Sequence, residues 1–272
     1  MPLTSLVYIK PRLWGRLAAR YAASWWRMLH LGAVALVMAM SPSTYSRANR
    51  LVTSRYIYAS TWQVLPWFTL LTALLSLVII RIVLVTAQSY GLSRYALEMV
   101  VRVLVVELLP LSAAMFAALR AGMAFDASAM GLARSSVPGI TTAQGATEEA
   151  LRKLRRDLVP QVAANAFSVL SLAMVSSVIV LVLAYLNVYG LSHWGLPDYT
   201  RTVGRVFDPT VTIGFVFKTV LFGLAVAVIP SSAVLELLRH PRQLRSNVQP
   251  GALRLLFVLL TIEAGSLAVR YI

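Results

Sequence analysis

Residues 63–87 read QVLPWFTLLTALLSLVIIRIVLVTA, with Arg81 the one charged side chain among them. A helix of that length, at about 1.5 Å per residue, spans the roughly 30 Å hydrocarbon layer of a bilayer. Lipid offers no partner to backbone N–H and C=O groups, so such a segment must satisfy them internally and is predicted to cross as a helix. Working outward, Met99 to about Phe125, Gln161–Gly190 and Val211–Leu235 have the same character, and Ala252–Ile272 is a shorter fifth. The apolar run Leu29–Met40 is too short to cross. The predicted fold is all-α: a polytopic membrane protein with five transmembrane helices preceded by an N-terminal interfacial amphipathic helix. Residues 1–55 form the interfacial segment and 56–272 the five-span domain, with a cytoplasmic loop at about 126–160.

Composition agrees. Of 272 residues 58% are hydrophobic and 13% charged, and mean hydropathy is +0.74. A soluble domain holds about 45–50% apolar and about 25% charged residues. This balance excludes an ordinary soluble enzyme and a disordered chain. The formal net charge is +15. In a soluble protein that would suggest nucleic acid; here it follows the positive-inside rule. Lys10, Arg12, Arg16, Arg20, Arg27, Arg47, Arg50 and Arg55 precede the first span. Arg134, Arg152, Lys153, Arg155 and Arg156 lie between spans two and three, and Arg239, Arg242 and Arg245 between four and five. The opposite side has Arg94, Arg201, Arg205 and Arg270. This asymmetry places the N-terminus in the cytoplasm and the C-terminus outside, with no nucleic-acid partner required. No cysteine is present, which excludes disulfides and thiolate chemistry.

Near the N-terminus, Trp14, Trp25 and Trp26 accompany Arg12, Arg16, Arg20 and Arg27, aromatic anchors and a basic face suited to anionic headgroups. Reading Leu29–Met40 as a signal-peptide core is disfavoured by its long charged leader and by Ser41-Pro42 at the cleavage position. Between spans two and three, Thr141–Gly145 reads as a flexible linker. Thr147–Arg156 reads as a short helix, with a Thr cap, acids at its start, cations toward its end and Pro160 soon after. It either docks a partner or forms a solvated positive loop.

Ionisable residues inside spans are costly and therefore informative. Arg81 and Arg102 lie near helix ends, within snorkelling reach, and Arg120 lies toward the inner end of span two. Glu107, Lys218 and Glu263 lie deeper. At about 1.5 Å per residue, Glu107 is roughly 15 Å and Lys218 roughly 12 Å below the outer ends of their helices, with Glu263 at comparable depth. Lys218 is therefore expected to pair with Glu107, with Glu263 the other available carboxylate. The pair either fixes packing or lines a substrate cavity. Ala114, Ala118 and Gly122 are spaced by four, with Ala113, Ala117 and Ala121 beside them, a face that permits close helix approach. Pro110 predicts a kink or break. There is no G-x-x-x-x-G-K-[ST], no H-E-x-x-H, and His30, His193 and His240 are scattered. No catalytic role, cofactor or metal is expected.

Residues 107–122, ELLPLSAAMFAALRAG, resemble the signature of the MlaE family, permease subunits of ABC-type phospholipid transport systems that work with MCE proteins. The family pattern R-E-L-G-P, an alanine-rich turn and then G-R-x-G is matched at Glu107, Leu108, Pro110, Arg120 and Gly122. Lys218 within FKTVLFG, residues 217–223, looks like the family's lysine in span four. Val106 and Leu109 stand where the family has Arg and Gly, Ser128 stands at an acidic position, and Val137–Thr147 looks like an insertion, so the chain resembles a divergent member. The resemblance implies a homodimeric permease core in a bacterial inner membrane, with ABC ATPase subunits below and an MCE-domain protein outside. ATP hydrolysis would lie on the partner. Phospholipid would occupy a cavity braced or lined by Glu107, Leu108 and Lys218. Pro110, Ala114, Ala118, Arg120 and Gly122 would serve packing, dimer contact or the cavity wall. Ser128, Glu148, Glu149, Arg152 and Arg155 would belong to the ATPase-coupling segment. Two other functions fit the residues: a structural or assembly protein of the same fold without ATP coupling, and an ion-coupled transporter using Glu107 or Glu263 as proton carrier.

Overall fold

The structure, a computed structural model, describes residues 25, 26, 30, 54–121, 143–239 and 251–271. Five helices among them are long and apolar enough to cross a bilayer. They are Ser54–Ser89 (α1), Tyr95–Ala121 (α2), Ala143–Tyr189 (α3), Pro209–Arg239 (α5) and Ala252–Tyr271 (α6). A shorter helix, Leu196–Val206 (α4), joins α3 to α5. There is no strand among the described residues.

α1 shows what solvent this fold is built for. Its buried positions Phe68, Thr72, Ser76 and Ile80 recur every four residues, while Leu70, Leu71, Leu74, Val78 and Ile82 are exposed. The outward face is thus the more apolar, as a lipid-facing surface requires. The hydroxyls satisfy themselves within their own helices: Thr69 donates to Leu65 O at 2.8 Å, Ser177 to Ala173 O at 2.7 Å and Thr219 to Phe215 O at 2.7 Å. α1 ends where Gly91 takes φ 71°, which lets Leu92 N–H reach Ala87 O at 2.7 Å and Gly91 N–H reach Gln88 O at 3.1 Å. That pair of bonds satisfies carbonyls the helix end would otherwise orphan.

Two stretches widen to π-helix, Tyr58–Trp62 in α1 and Val100–Leu108 in α2. The second runs up to Pro110, whereas Pro66 follows the first by a turn and stands at the start of the regular helix Leu65–Ser89, where proline is tolerated. Inside a helix proline lacks an N–H, and its ring collides with the carbonyl four residues back, here Val106. Widening the preceding turns relieves that collision, and Leu109 N–H bonds to Leu104 O, five residues back. The kink or break predicted at Pro110 takes this form, within a span that continues to Ala121.

Three sequence expectations are revised. The short helix at Thr147–Arg156 does not end before Pro160: α3 runs unbroken from Ala143 to Tyr189 with Pro160 inside it. One lost bond to the carbonyl of Arg156 is a modest penalty for a helix this long. The linker expected at Thr141–Gly145 is helical from Ala143. Second, α1 starts at Ser54, earlier than Gln63. Third, the connection after span three, for which no element was predicted, contains α4. Of the interfacial segment, Trp25, Trp26 and His30 are described. All three are helical, and the Trp25 ring meets Phe257 of α6 edge-on at 6.3 Å. Ser54 and Arg55 open α1, and the rest of that segment lies outside the described residues.

The core has two main parts. Near the α4 end, Ile80 of α1, Val101, Leu104 and Val105 of α2, Val180 and Ala184 of α3, and Val206 of α4 pack together. Toward the other end, Ala114, Ala117 and Ala121 of α2 meet Val169 of α3, Phe222 and Val226 of α5, and Leu255 and Leu259 of α6. The alanine face of α2 is therefore where the other spans converge. α5 also comes close to α3: a Cβ added at Gly223 would lie 3.1 Å from Ala166 O.

Candidate functional site

Lys218, nine residues into α5, is the centre of the site, and its side chain is 3% exposed. Its Nζ donates a hydrogen bond to Glu107 Oε2 on α2 and lies 2.7 Å from Glu263 Oε2 on α6. The two carboxylate side chains are 12% and 13% exposed. The sequence left the partner of Lys218 open between these two glutamates; the structure gives it both. One ammonium thus ties three spans together at one depth. Phe222, a turn along α5, puts its ring 5.8 Å from Nζ, within the range of a cation–π contact.

Each residue reaches this point for a local reason. Glu107 stands in the widened turns before Pro110. Lys218 and Phe222 share one face of α5, as Glu263 and Leu259 share one face of α6. The layer below Lys218 is formed by Phe222, Leu259 and Ala114, and the alanine leaves room for α5 and α6 to approach α2.

Above the charges opens a cavity of about 420 Å³ between α2, α5 and α6. Glu107 and Lys218 contribute to its wall, Thr210 and Ser266 supply hydroxyls, and Val106, Phe215, Phe217, Leu221 and Ile262 make most of the remainder apolar. A greasy chamber with a small polar group of fixed orientation is the general form of a ligand site.

Other residues singled out from sequence sit elsewhere. Leu108 is exposed and lies outside the cavity wall. Pro110 and Ala114 are buried and Ala118 is half-buried. Arg120 donates to Ala59 O in the widened turn of α1 at 2.5 Å. Ser60 beside it donates to Ala164 O at 3.4 Å, and Ser168 donates to Ser60 O at 2.9 Å. Carbonyls loosened from α1 are thereby taken up by α2 and α3. Arg102 pairs with Glu98 of its own helix at 3.2 Å. Glu148, Glu149, Arg152 and Arg155 lie on the helical backbone of α3; Gly122 and Ser128 lie outside the described residues.

A family model described as Permease MlaE matches residues 53–267. The chain belongs to the MlaE permease family. No curated protein and no solved structure matches it. The match takes in four spans and most of the fifth, the three charged residues and all of the cavity lining but Val269, so the MlaE-type permease is a multi-pass membrane subunit whose buried polar site lies inside the family's own domain.

α4 is the part of the permease that sequence reading missed. Its Pro197 and Asp198 open the first turn and Arg205 closes the last, while Tyr199, Val203 and Val206 face the core at helical spacing. Burial, with Tyr189 beside it, pushes the Tyr199 phenol up to about 12. It therefore stays protonated and donates to Leu181 O at 2.7 Å, fastening α4 to α3.

Proposed function

We propose that this chain is the permease subunit of an ABC-type lipid transport system in a bacterial inner membrane, moving phospholipid between membranes with energy from a separate ATPase. The observation that supports this most is the cavity: apolar enough for acyl chains, with buried charge in its wall, and formed by spans two, four and five. ATP would be hydrolysed by a partner carrying a phosphate-binding loop, an MCE-domain protein would receive or deliver the lipid outside, and two copies of the permease would form the core. The N-terminus is assigned to the cytoplasm on the asymmetry of lysine and arginine. The long α3 then extends from the membrane on the cytoplasmic side, carrying residues 148–156 to where an ATPase would meet it.

Affinity purification of the full chain in mild detergent tests this reading. The expected result is recovery of a P-loop ATPase together with phospholipid; recovery of neither rejects it. Substitutions within Glu148–Arg156 separate a transporter from a mere scaffold of the same fold. In a transporter they abolish ATPase stimulation while assembly survives.

A further inference from the structure

Lys218 is the cation in the cavity wall, yet it is already held by two carboxylates, Glu107 and Glu263. The remaining lining side chains are uncharged among the described residues. The cluster thus brings two carboxyl groups to one ammonium, and the two glutamates are not equivalent. Glu107 forms part of the cavity wall, whereas Glu263 is not among the residues that line it. A phosphate approaching Lys218 would have to displace a carboxylate and would add negative charge beside both. An ammonium approaching Glu107 also competes with Lys218, but it brings positive charge to a cluster that holds two carboxylates and one ammonium. It can take over Glu107 while Lys218 keeps Glu263, leaving two cations facing two carboxylates in a site where unpaired charge is costly.

We propose that the cavity selects lipids by a cationic amine in the headgroup, with Glu107 as its receptor and Glu263 retained to neutralise Lys218. Zwitterionic lipids of the ethanolamine type are the class this fits, and anionic lipids without an amine are disfavoured. The inference rests on the lipid-permease reading and specifies the headgroup. The hydroxyls of Thr210 and Ser266 are available to the phosphate that such a headgroup also carries, without calling on Lys218.

The test is lipid retention by the full chain purified from vesicles holding equal amounts of phosphatidylethanolamine and phosphatidylglycerol with matched acyl chains, read by mass spectrometry. A second mixture pairs phosphatidylethanolamine with its N-acetylated form, which keeps the phosphate and chains but loses the amine charge. A charge-assisted contact of this kind predicts about tenfold to hundredfold enrichment of the amine-bearing lipid in both mixtures. Glu107→Gln is expected to remove that enrichment and Glu107→Asp to keep most of it. The lipid comparisons use the unaltered chain, so they stand even if a variant folds poorly. Equal retention, or enrichment of either anionic lipid, overturns the amine reading and leaves the lipid-permease reading in place. Retention of no lipid from any mixture overturns both.

Discussion

Replacing Lys218 with methionine keeps the length and apolar stem of a side chain that is 3% exposed and removes its charge. Glu107 and Glu263 then face one another at one depth without the ammonium between them. Removing one partner of a buried pair costs about 3–5 kcal/mol, because the other charge stays behind; with two carboxylates stranded, the upper end of that range is expected. Lys218→Met with Glu107→Gln leaves one stranded carboxylate and should recover about 1–3 kcal/mol of that loss as coupling. Adding Glu263→Gln removes the last charge, and the fully neutral triple variant is expected to regain most of the parent's stability, short of the gain that apolar replacement of a buried ion cluster can give because the glutamine amides still need partners. Equilibrium unfolding in mixed detergent and SDS micelles, followed by circular dichroism, measures the whole series. If the losses from Lys218→Met and Glu107→Gln simply add, the two side chains do not interact and the geometry assigned to the site is wrong. If the triple variant is as unstable as the single one, the cluster is needed for packing and the functional argument built on it fails.

Three further outcomes follow from single contacts. Arg120→Gln removes a charged donor from Ala59 O and should cost about 1.5–3 kcal/mol in the same unfolding assay, whereas a merely snorkelling arginine would lose almost nothing. Gly223→Val places methyls against Ala166 O, where a bare Cβ would already sit at 3.1 Å, and should destabilise by about 1–3 kcal/mol; Gly204→Ala, with open space around it in α4, is expected to be neutral or better by up to about 1 kcal/mol. For Tyr199→Phe the prediction concerns pH. The folded-state phenol lies near 12 against an ordinary 10.0, so its contribution is fully present below 10 and is lost as pH rises through 12. The stability gap between parent and variant should therefore be constant up to about pH 10 and then narrow; a gap independent of pH across that range contradicts the assigned environment.

The spans were legible because lipid leaves the backbone one solution, and a run such as residues 63–87 admits no other reading. Depth was legible too: counting turns from the helix ends brought Glu107, Lys218 and Glu263 to one level. Rotation was not. Which faces of α2, α5 and α6 turn toward each other depends on packing between helices, on the alanine face of α2 and on the approach of Gly223 to Ala166, and no single segment encodes it. Hence the sequence offered Lys218 a choice between two carboxylates, and it holds both. Proline misled in one direction. Pro160 reads locally as a stop, but α3 has bonds enough on either side to absorb one missing donor. α4 was overlooked because a search for spans discards a helix of 11 residues, although Pro197, Asp198 and Arg205 stand where a helix would place them.

The position of the ion cluster accords with the headgroup site proposed above. Directly beneath it, Ala114, Phe222 and Leu259 form a dry layer that holds the three helices without any charge. Three apolar side chains one layer higher would extend that packing and avoid the desolvation of an ammonium and two carboxylates. The charges are instead found where the dry core ends and the cavity begins, on helices already fixed by the layer below. Packing alone therefore gives no reason for Lys218, Glu107 and Glu263. The proposed site, where a polar headgroup would meet these charges beside an apolar cavity, supplies one, because there the charges would have a partner to exchange with.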